Sequence, residues 1–139
     1  RYLNRKPPLI FEDGHQRRDF VSVHDVARAC RLALETPGAA GHALNIGSGR
    51  SMSVLEVAEA MSGAMQVDDL PAEVTGKYRT GDIRHCFADI SKAREVLGYQ
   101  PEVSLEKGLE ELVEWMMGQQ AFDRVDAAAA ELARRGLQR

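Results

Sequence analysis

Tyr2 and Lys6 stand four residues apart, the spacing that sets a phenol and an ammonium on one helical face, where the cation would lower the phenol pKa for proton transfer. Lys6 runs directly into Pro7-Pro8, and a residue before proline is driven out of the helical region, so this pair cannot occupy the sustained helix that such chemistry requires. Gly47-Ser48-Gly49 has the strand-turn-helix setting in which backbone N–H groups meet a dinucleotide pyrophosphate. The third glycine of that fingerprint is replaced by Met52, whose side chain would obstruct close helix–strand packing; a tight turn is expected instead of a cofactor loop. No two of His15, His24, His42 and His85 share the four-residue helical spacing of a metal clamp. Cys30 falls on an apolar helical stripe, where a free cysteine acts as a small buried hydrophobe without chemistry.

The elements that must position these groups alternate between strand and helix. Residues 1–8 read as the end of an earlier element. Leu9 to Phe11 predicts a short strand, Glu12-Asp13-Gly14 a turn, and Asp19 to Val23 a second strand by its alternation. Val26, Ala29, Cys30 and Ala33 then recur at helical spacing, predicting a helix over 25–35 that stops before Pro37-Gly38. Ala43 to Ile46 reads as another strand, and Ser53 with Glu56 as a capping box opening a helix through about Met65. Ser91 is expected to cap a short helix ended by Gly98, and Ser104 to open one whose Leu105, Leu109, Leu112, Val113 and Met116 share a face. An alanine-rich helix is expected over 122–137. The fold class is α/β, with few strands and about five helices, too few strands to close a doubly wound sheet.

At 139 residues, two full domains are excluded, and 44% hydrophobic with 28% charged residues describes a globular chain with one core. No stretch approaches the roughly 18 uninterrupted apolar residues of a membrane helix, so no membrane role is expected. A net charge of −3 offers no overall field for nucleic acid. Two cysteines make no disulfide framework and suit a reducing cytoplasm. The first residues carry neither an initiator Met nor a signal peptide, which is expected of part of a longer protein.

Three separated segments carry a resemblance. They are Gly14-His15-Gln16-Arg17-Arg18-Asp19-Phe20-Val21-Ser22-Val23-His24-Asp25-Val26-Ala27, then Asn45-Ile46-Gly47-Ser48-Gly49, then Arg79-Thr80-Gly81-Asp82-Ile83-Arg84 continuing through Ala88-Asp89-Ile90-Ser91-Lys92-Ala93 to Leu97-Gly98-Tyr99-Gln100-Pro101. In this order they resemble the C-terminal half of the extended short-chain dehydrogenase/reductases, the NAD-dependent sugar-nucleotide epimerases and dehydratases, over about residues 8 to 117. The stretch from Lys6 to Gly14 and the tail from Phe122 to Gly136 are most similar to bacterial epimerases acting at C4 of dTDP-L-rhamnose or UDP-glucose.

That resemblance implies the C-terminal substrate-binding portion of an extended Rossmann-type enzyme. It divides the chain into the end of a preceding element (1–8), a sugar-nucleotide-binding region (9–117) and a C-terminal helical tail (118–139). A diphosphate is matched by paired guanidinium hydrogen bonds, and the resemblance makes Arg18 and Arg79 the two arms of such a clamp. Asp82 resembles the acid that contacts ribose or orients the clamp. Phe11 lies where the family lays the nucleotide base, and equally fits plain core packing. Cys86 stands where galactose epimerases carry a tyrosine near the sugar, which leaves the sugar open. Asn45 is expected to serve a turn.

The same resemblance implies a UDP- or dTDP-sugar substrate and NAD as cofactor, with the glycine-rich loop and the catalytic Tyr-x-x-x-Lys upstream of Arg1. The chain is then expected to hold no catalytic or cofactor-binding residue of its own and to lack turnover in isolation. It leaves room for a homo-oligomer, for a dehydratase or decarboxylase, and for a non-catalytic sugar-nucleotide or interaction module.

Overall fold

A computed structural model of the chain describes residues 1–138; Arg139, the last residue of the expected tail, lies outside them. Among the described residues five α-helices are threaded with five very short strands, in the order β1 (Leu9–Ile10), β2 (Arg17–Asp19), α1 (Val23–Glu35), β3 (Ser51–Ser53), α2 (Val54–Met65), β4 (Glu73–Val74), β5 (His85–Cys86), α3 (Ser91–Leu97), α4 (Leu105–Met117) and α5 (Val125–Arg134).

Two small sheets hold the loops together. β1 pairs in parallel with β4, Leu9 opposite Glu73 and Ile10 opposite Val74. β2 is the centre of the other sheet, antiparallel to β3 and parallel to β5, and its register sets Arg17 opposite His85 and Arg18 opposite Cys86.

Helix starts follow the expected side-chain chemistry in two places. The Ser53 hydroxyl accepts from the Glu56 amide while the Glu56 carboxylate accepts from the Ser53 amide, a complete capping box. Ser104 accepts from the Lys107 amide and opens α4. Gly98 ends α3 at φ 64°.

Elsewhere the elements shift. The predicted strand over 19–23 is instead β2 at Arg17–Asp19, because Ser22 accepts from the His24 amide and turns the chain into α1 at Val23. Ala43 to Ile46 forms no strand: none of these residues joins a ladder, and Leu44 and Ile46 pack as single side chains against the core. Gly47-Ser48-Gly49 leads into β3 before any helix begins. Asp89, not Ser91, receives the first amide of α3, and Ser91 is the first helical residue. α5 starts three residues later than expected, where the Asp123 carboxylate accepts from the Val125 amide.

The core sits between α1, α3 and the turn after α1: Ala29, Ala39, Ile90, Ala93, Leu97 and Tyr99, with Leu32, Leu44 and Val96 around them. Of the predicted Val26–Ala29–Cys30–Ala33 stripe α1 buries only Ala29, together with Asp25, so Cys30 is exposed, and Leu34 is 89% exposed. The reason is Asp25. Burial pushes its carboxyl up, but hydrogen bonds from Arg28, Glu102 and Val103 outweigh that and leave it below the ordinary carboxylate range. A buried carboxylate bonded to two backbone amides ties α1 to the 102–103 segment and fixes the rotation of the helix.

Candidate functional site

Gly14 has φ 79°, and Leu55 packs where a Cβ would stand, so the turn after β1 closes tightly onto α2. That turn delivers Phe11, Glu12 and Asp13 to one end of β1. Glu12 itself has φ 54° and is fixed on both sides, its amide donating to the Lys77 carbonyl at 2.7 Å and its carbonyl accepting from the Gly76 amide at 3.2 Å. The segment from Gly76 to Cys86 therefore runs alongside residues 11–13 before entering β5 next to β2.

The five sequence-predicted site residues lie along this segment in two groups, Arg18 with Cys86 and Phe11 with Arg79 and Asp82. Arg18, on β2 opposite Cys86, donates to the carbonyls of Ile83 (2.5 Å), Arg84 (2.9 Å) and Arg17 (2.8 Å). Carbonyl dipoles thus hold its guanidinium, and no carboxylate pairs with it among the described residues. Arg79 donates from Nε to the Asp82 carboxylate at 2.9 Å, and its guanidinium carbon lies 5.2 Å from the centroid of the Phe11 ring. Phe11 is half-buried. Cys86 is an exposed free thiol beside Arg18. Asn45 reaches the Asp89 carbonyl at 3.3 Å and serves the turn.

Sequence reasoning missed three supports. Arg84 bridges Glu12 at 2.7 Å and Asp13 at 2.6 Å; the adjacent acid pair and a second basic residue in the Arg79 motif were the available signal. Arg84 holds the Asp13 carboxyl down at about 2. His85 accepts the Arg17 amide on its Nδ1. The chain's C-terminal end reaches back to the Arg79 loop, where the Thr80 amide donates to the Leu137 carbonyl at 2.9 Å and Gln138 bridges Arg79. An open groove of about 500 Å³ lies between Glu12, Asp13, Gly76, Tyr78 and Arg84.

The two motifs that superficially suggest a nicotinamide site do not fit one. The Ser48 amide donates to the Asp19 carboxylate at 2.7 Å, and Asp19 and Ala88 crowd the position of a Cβ on Gly47, so this glycine serves close packing. Tyr2 lies in a single 3₁₀ turn that ends at Arg5, its phenol bonded to the Ala58 carbonyl and pushed up in pKa by burial, the reverse of what a catalytic tyrosine needs. Lys6 is instead paired with Asp123 at 2.9 Å. Among the described residues no cluster of His, Cys, Asp and Glu could hold a metal ion, and no helix is long and apolar enough to cross a membrane.

Residues 2–112 match the family described as GDP-mannose 4,6 dehydratase. The chain is 37% identical over 115 residues to the dTDP-L-rhamnose 4-epimerase of Burkholderia thailandensis, covering 83% of this chain and 31% of that protein. Among solved structures, it superposes on the UDP-glucose 4-epimerase of Thermotoga maritima with UDP-glucose at a TM-score of 0.74 and 37% identity, over 83% of this chain and 36% of that one. The UDP-glucuronic acid 4-epimerase of Bacillus cereus in complex with NAD gives a TM-score of 0.68 at 32% identity, covering 83% and 36%. The chain spans about a third of the length of the relatives it matches.

Proposed function

Because the chain belongs to the sugar-nucleotide epimerase/dehydratase family of the extended short-chain dehydrogenase/reductases, we propose that it forms the substrate-binding part of an NAD-dependent nucleotide-sugar 4-epimerase acting on a UDP- or dTDP-hexose through a transient keto-sugar. The observation that carries this reading is the state of Arg18: a cation fixed in direction by three carbonyl oxygens and paired with no carboxylate among the described residues. Such a group is oriented before a ligand arrives and retains its net charge for an anion.

Arg79 supports the same reading. Its Nε is spent on Asp82, whereas its Nη groups have no protein acceptor among the described residues. We assign Arg18 and Arg79 to the two phosphates of a nucleoside diphosphate, Asp82 to orienting Arg79, Phe11 to the base side of the site and Cys86 to the sugar side. Clamping the diphosphate applies binding energy remote from the reacting carbon to hold the sugar in place. NAD, which takes up and returns hydride in this chemistry, is assigned to residues other than the two motifs excluded above, and the catalytic acid–base pair likewise. The relative and the solved structure matched at 37% identity are both named 4-epimerases, which favours epimerisation over dehydration.

Titrating UDP into the protein by calorimetry tests the clamp. Arg18→Ala and Arg79→Ala should each weaken binding about ten- to a hundredfold, the loss expected for a charged hydrogen-bonding group; unchanged affinity in both variants removes the assignment. Incubating the full enzyme with a UDP- or dTDP-hexose and reading the product by NMR separates a C4 epimer from a 4-keto-6-deoxy sugar.

A further inference from the structure

Arg84 touches both halves of the site through different groups. Its guanidinium forks between Glu12 and Asp13 at 2.7 and 2.6 Å, and its backbone carbonyl accepts from Arg18 at 2.9 Å. Glu12 is the residue after Phe11, whose ring lies under Arg79. One residue is thus bonded directly to Arg18 through its carbonyl and connected to Arg79 by way of Glu12 and Phe11.

The surrounding backbone needs such a tie. Glu12 has a positive φ, a conformation that L side chains rarely adopt and that persists only where neighbours hold it. Residues 79–84 form no regular element apart from the single bridge to Gln138, and include Gly81 at φ 92°. Without the Arg84 fork, the 11–13 turn and the 76–84 segment are joined, among the described residues, by the Glu12 bonds to Gly76 and Lys77 and by Arg79 over Phe11, and the Ile83 and Arg84 carbonyls aimed at Arg18 lie beyond both contacts.

We propose that Arg84 is a positioning residue for the nucleoside-diphosphate site: it binds no phosphate itself, and by pinning Glu12 and Asp13 to the 79–84 segment it fixes the directions of Arg18 and Arg79. This inference rests on the clamp reading above and adds to it the part that sets its geometry. A guanidinium is required because two carboxylates on adjacent residues are met by one planar fork; an ammonium has no matching pair of parallel donors.

The sign of one charge removal separates positioning from direct contact. UDP affinity is measured by calorimetry for the wild-type protein, Arg84→Gln, Arg84→Lys and the double variant Glu12→Gln/Asp13→Asn. Removing two negative charges beside an anion site should tighten UDP if Arg84 itself meets phosphate, since the released guanidinium then faces the ligand alone. Positioning predicts the opposite: the acid-pair variant and Arg84→Gln both weaken UDP about fivefold, with Arg84→Lys in between. In an Arg18→Ala background the penalty of Arg84→Gln should shrink to half or less, whereas a general loss of stability would leave it unchanged.

Hydrogen exchange at the amides of Gly76 and Asp82 in ligand-free protein supplies a readout that does not depend on UDP, and both should exchange faster in Arg84→Gln. Tighter UDP binding in the acid-pair variant, or a penalty for Arg84→Gln that is the same with and without Arg18, overturns the proposal. Failure of the wild-type protein to bind UDP overturns the clamp reading beneath it, and accelerated exchange in Arg84→Gln would then show the tie without the site.

Discussion

The guanidinium of Arg79 lies over the ring of Phe11, 5.2 Å from its centroid, while its Nε is bonded to Asp82. The strand end assigned to the nucleotide base and the arginine assigned to phosphate therefore act as one unit. An aromatic face attracts a cation through its quadrupole, and at exposed sites this is worth about 0.5–1 kcal/mol. Phe11→Leu keeps the apolar volume and removes that attraction, so UDP affinity should fall about two- to fivefold with little change in melting temperature.

Asp25 governs the fold rather than the site. It is 1% exposed and accepts from Arg28 and from the Glu102 and Val103 amides. Asp25→Ala should cost about 3–5 kcal/mol in urea unfolding, because it leaves two amides without their acceptor and removes one of the three partners of Arg28. The folded pKa lies below the ordinary value, so the carboxylate's contribution is complete above about pH 4 and is lost as the pH falls below it.

Tyr99 is fully buried and its phenol donates to the Gly47 carbonyl at 2.8 Å, pinning the turn that holds Asp19. Tyr99→Phe removes a single hydrogen bond without leaving a cavity, and should lower stability by about 1 kcal/mol in urea unfolding.

Asp13 gives the site's acid limit. Its carboxyl is held at about 2, first by the hydrogen bond from Arg84 and then by the His15 amide, against an ordinary value of 3.8. Because the folded value is the lower one, the bridge is intact above about pH 4 and dissolves as the pH falls through about 2. Carboxyl-carbon NMR should report a midpoint near 2 in wild type and a rise toward 3.8 in Arg84→Gln. The pair is solvent-exposed, so global stability should barely follow it.

The C-terminal helix should also brace the clamp. Ending the chain after Arg124 removes α5 together with the Leu137 carbonyl that accepts from Thr80 and the bridge from Gln138 to Arg79. The Thr80 amide should then exchange with solvent faster, and UDP should bind more weakly than to the intact protein.

Local sequence chemistry was sufficient for the elements that carry their own boundary signals. The capping box at Ser53 and Glu56, the cap at Ser104 and the stop at Gly98 all involve partners within four residues, so the sequence contains both members of each interaction. The resemblance likewise points to Arg18, Arg79, Asp82 and Cys86 along its three-segment pattern and to Phe11 in the stretch just before it. What it could not place was Ala43–Ile46 as a segment without a ladder partner, or the buried side of α1. Alternation and helical period describe which residues are apolar, while pairing and rotation depend on what lies opposite. The rotation of α1 was decided by Glu102 and Val103, nearly eighty residues from Asp25, because two amides in an apolar setting demand a carboxylate.

The residue types of the site were thus determined by the sequence, and their juxtaposition by tertiary structure alone. Arg84 reaches Glu12 and Asp13 across more than seventy residues, Arg18 finds its carbonyls at Ile83 and Arg84, and Thr80 meets Leu137 from the far end of the chain. Each contact joins groups that are ordinary surface residues in one dimension. They come together as the proposed site because a charged or backbone polar group must find its partner somewhere in the folded chain, and the packing of β1, β2 and β5 brings those partners within reach.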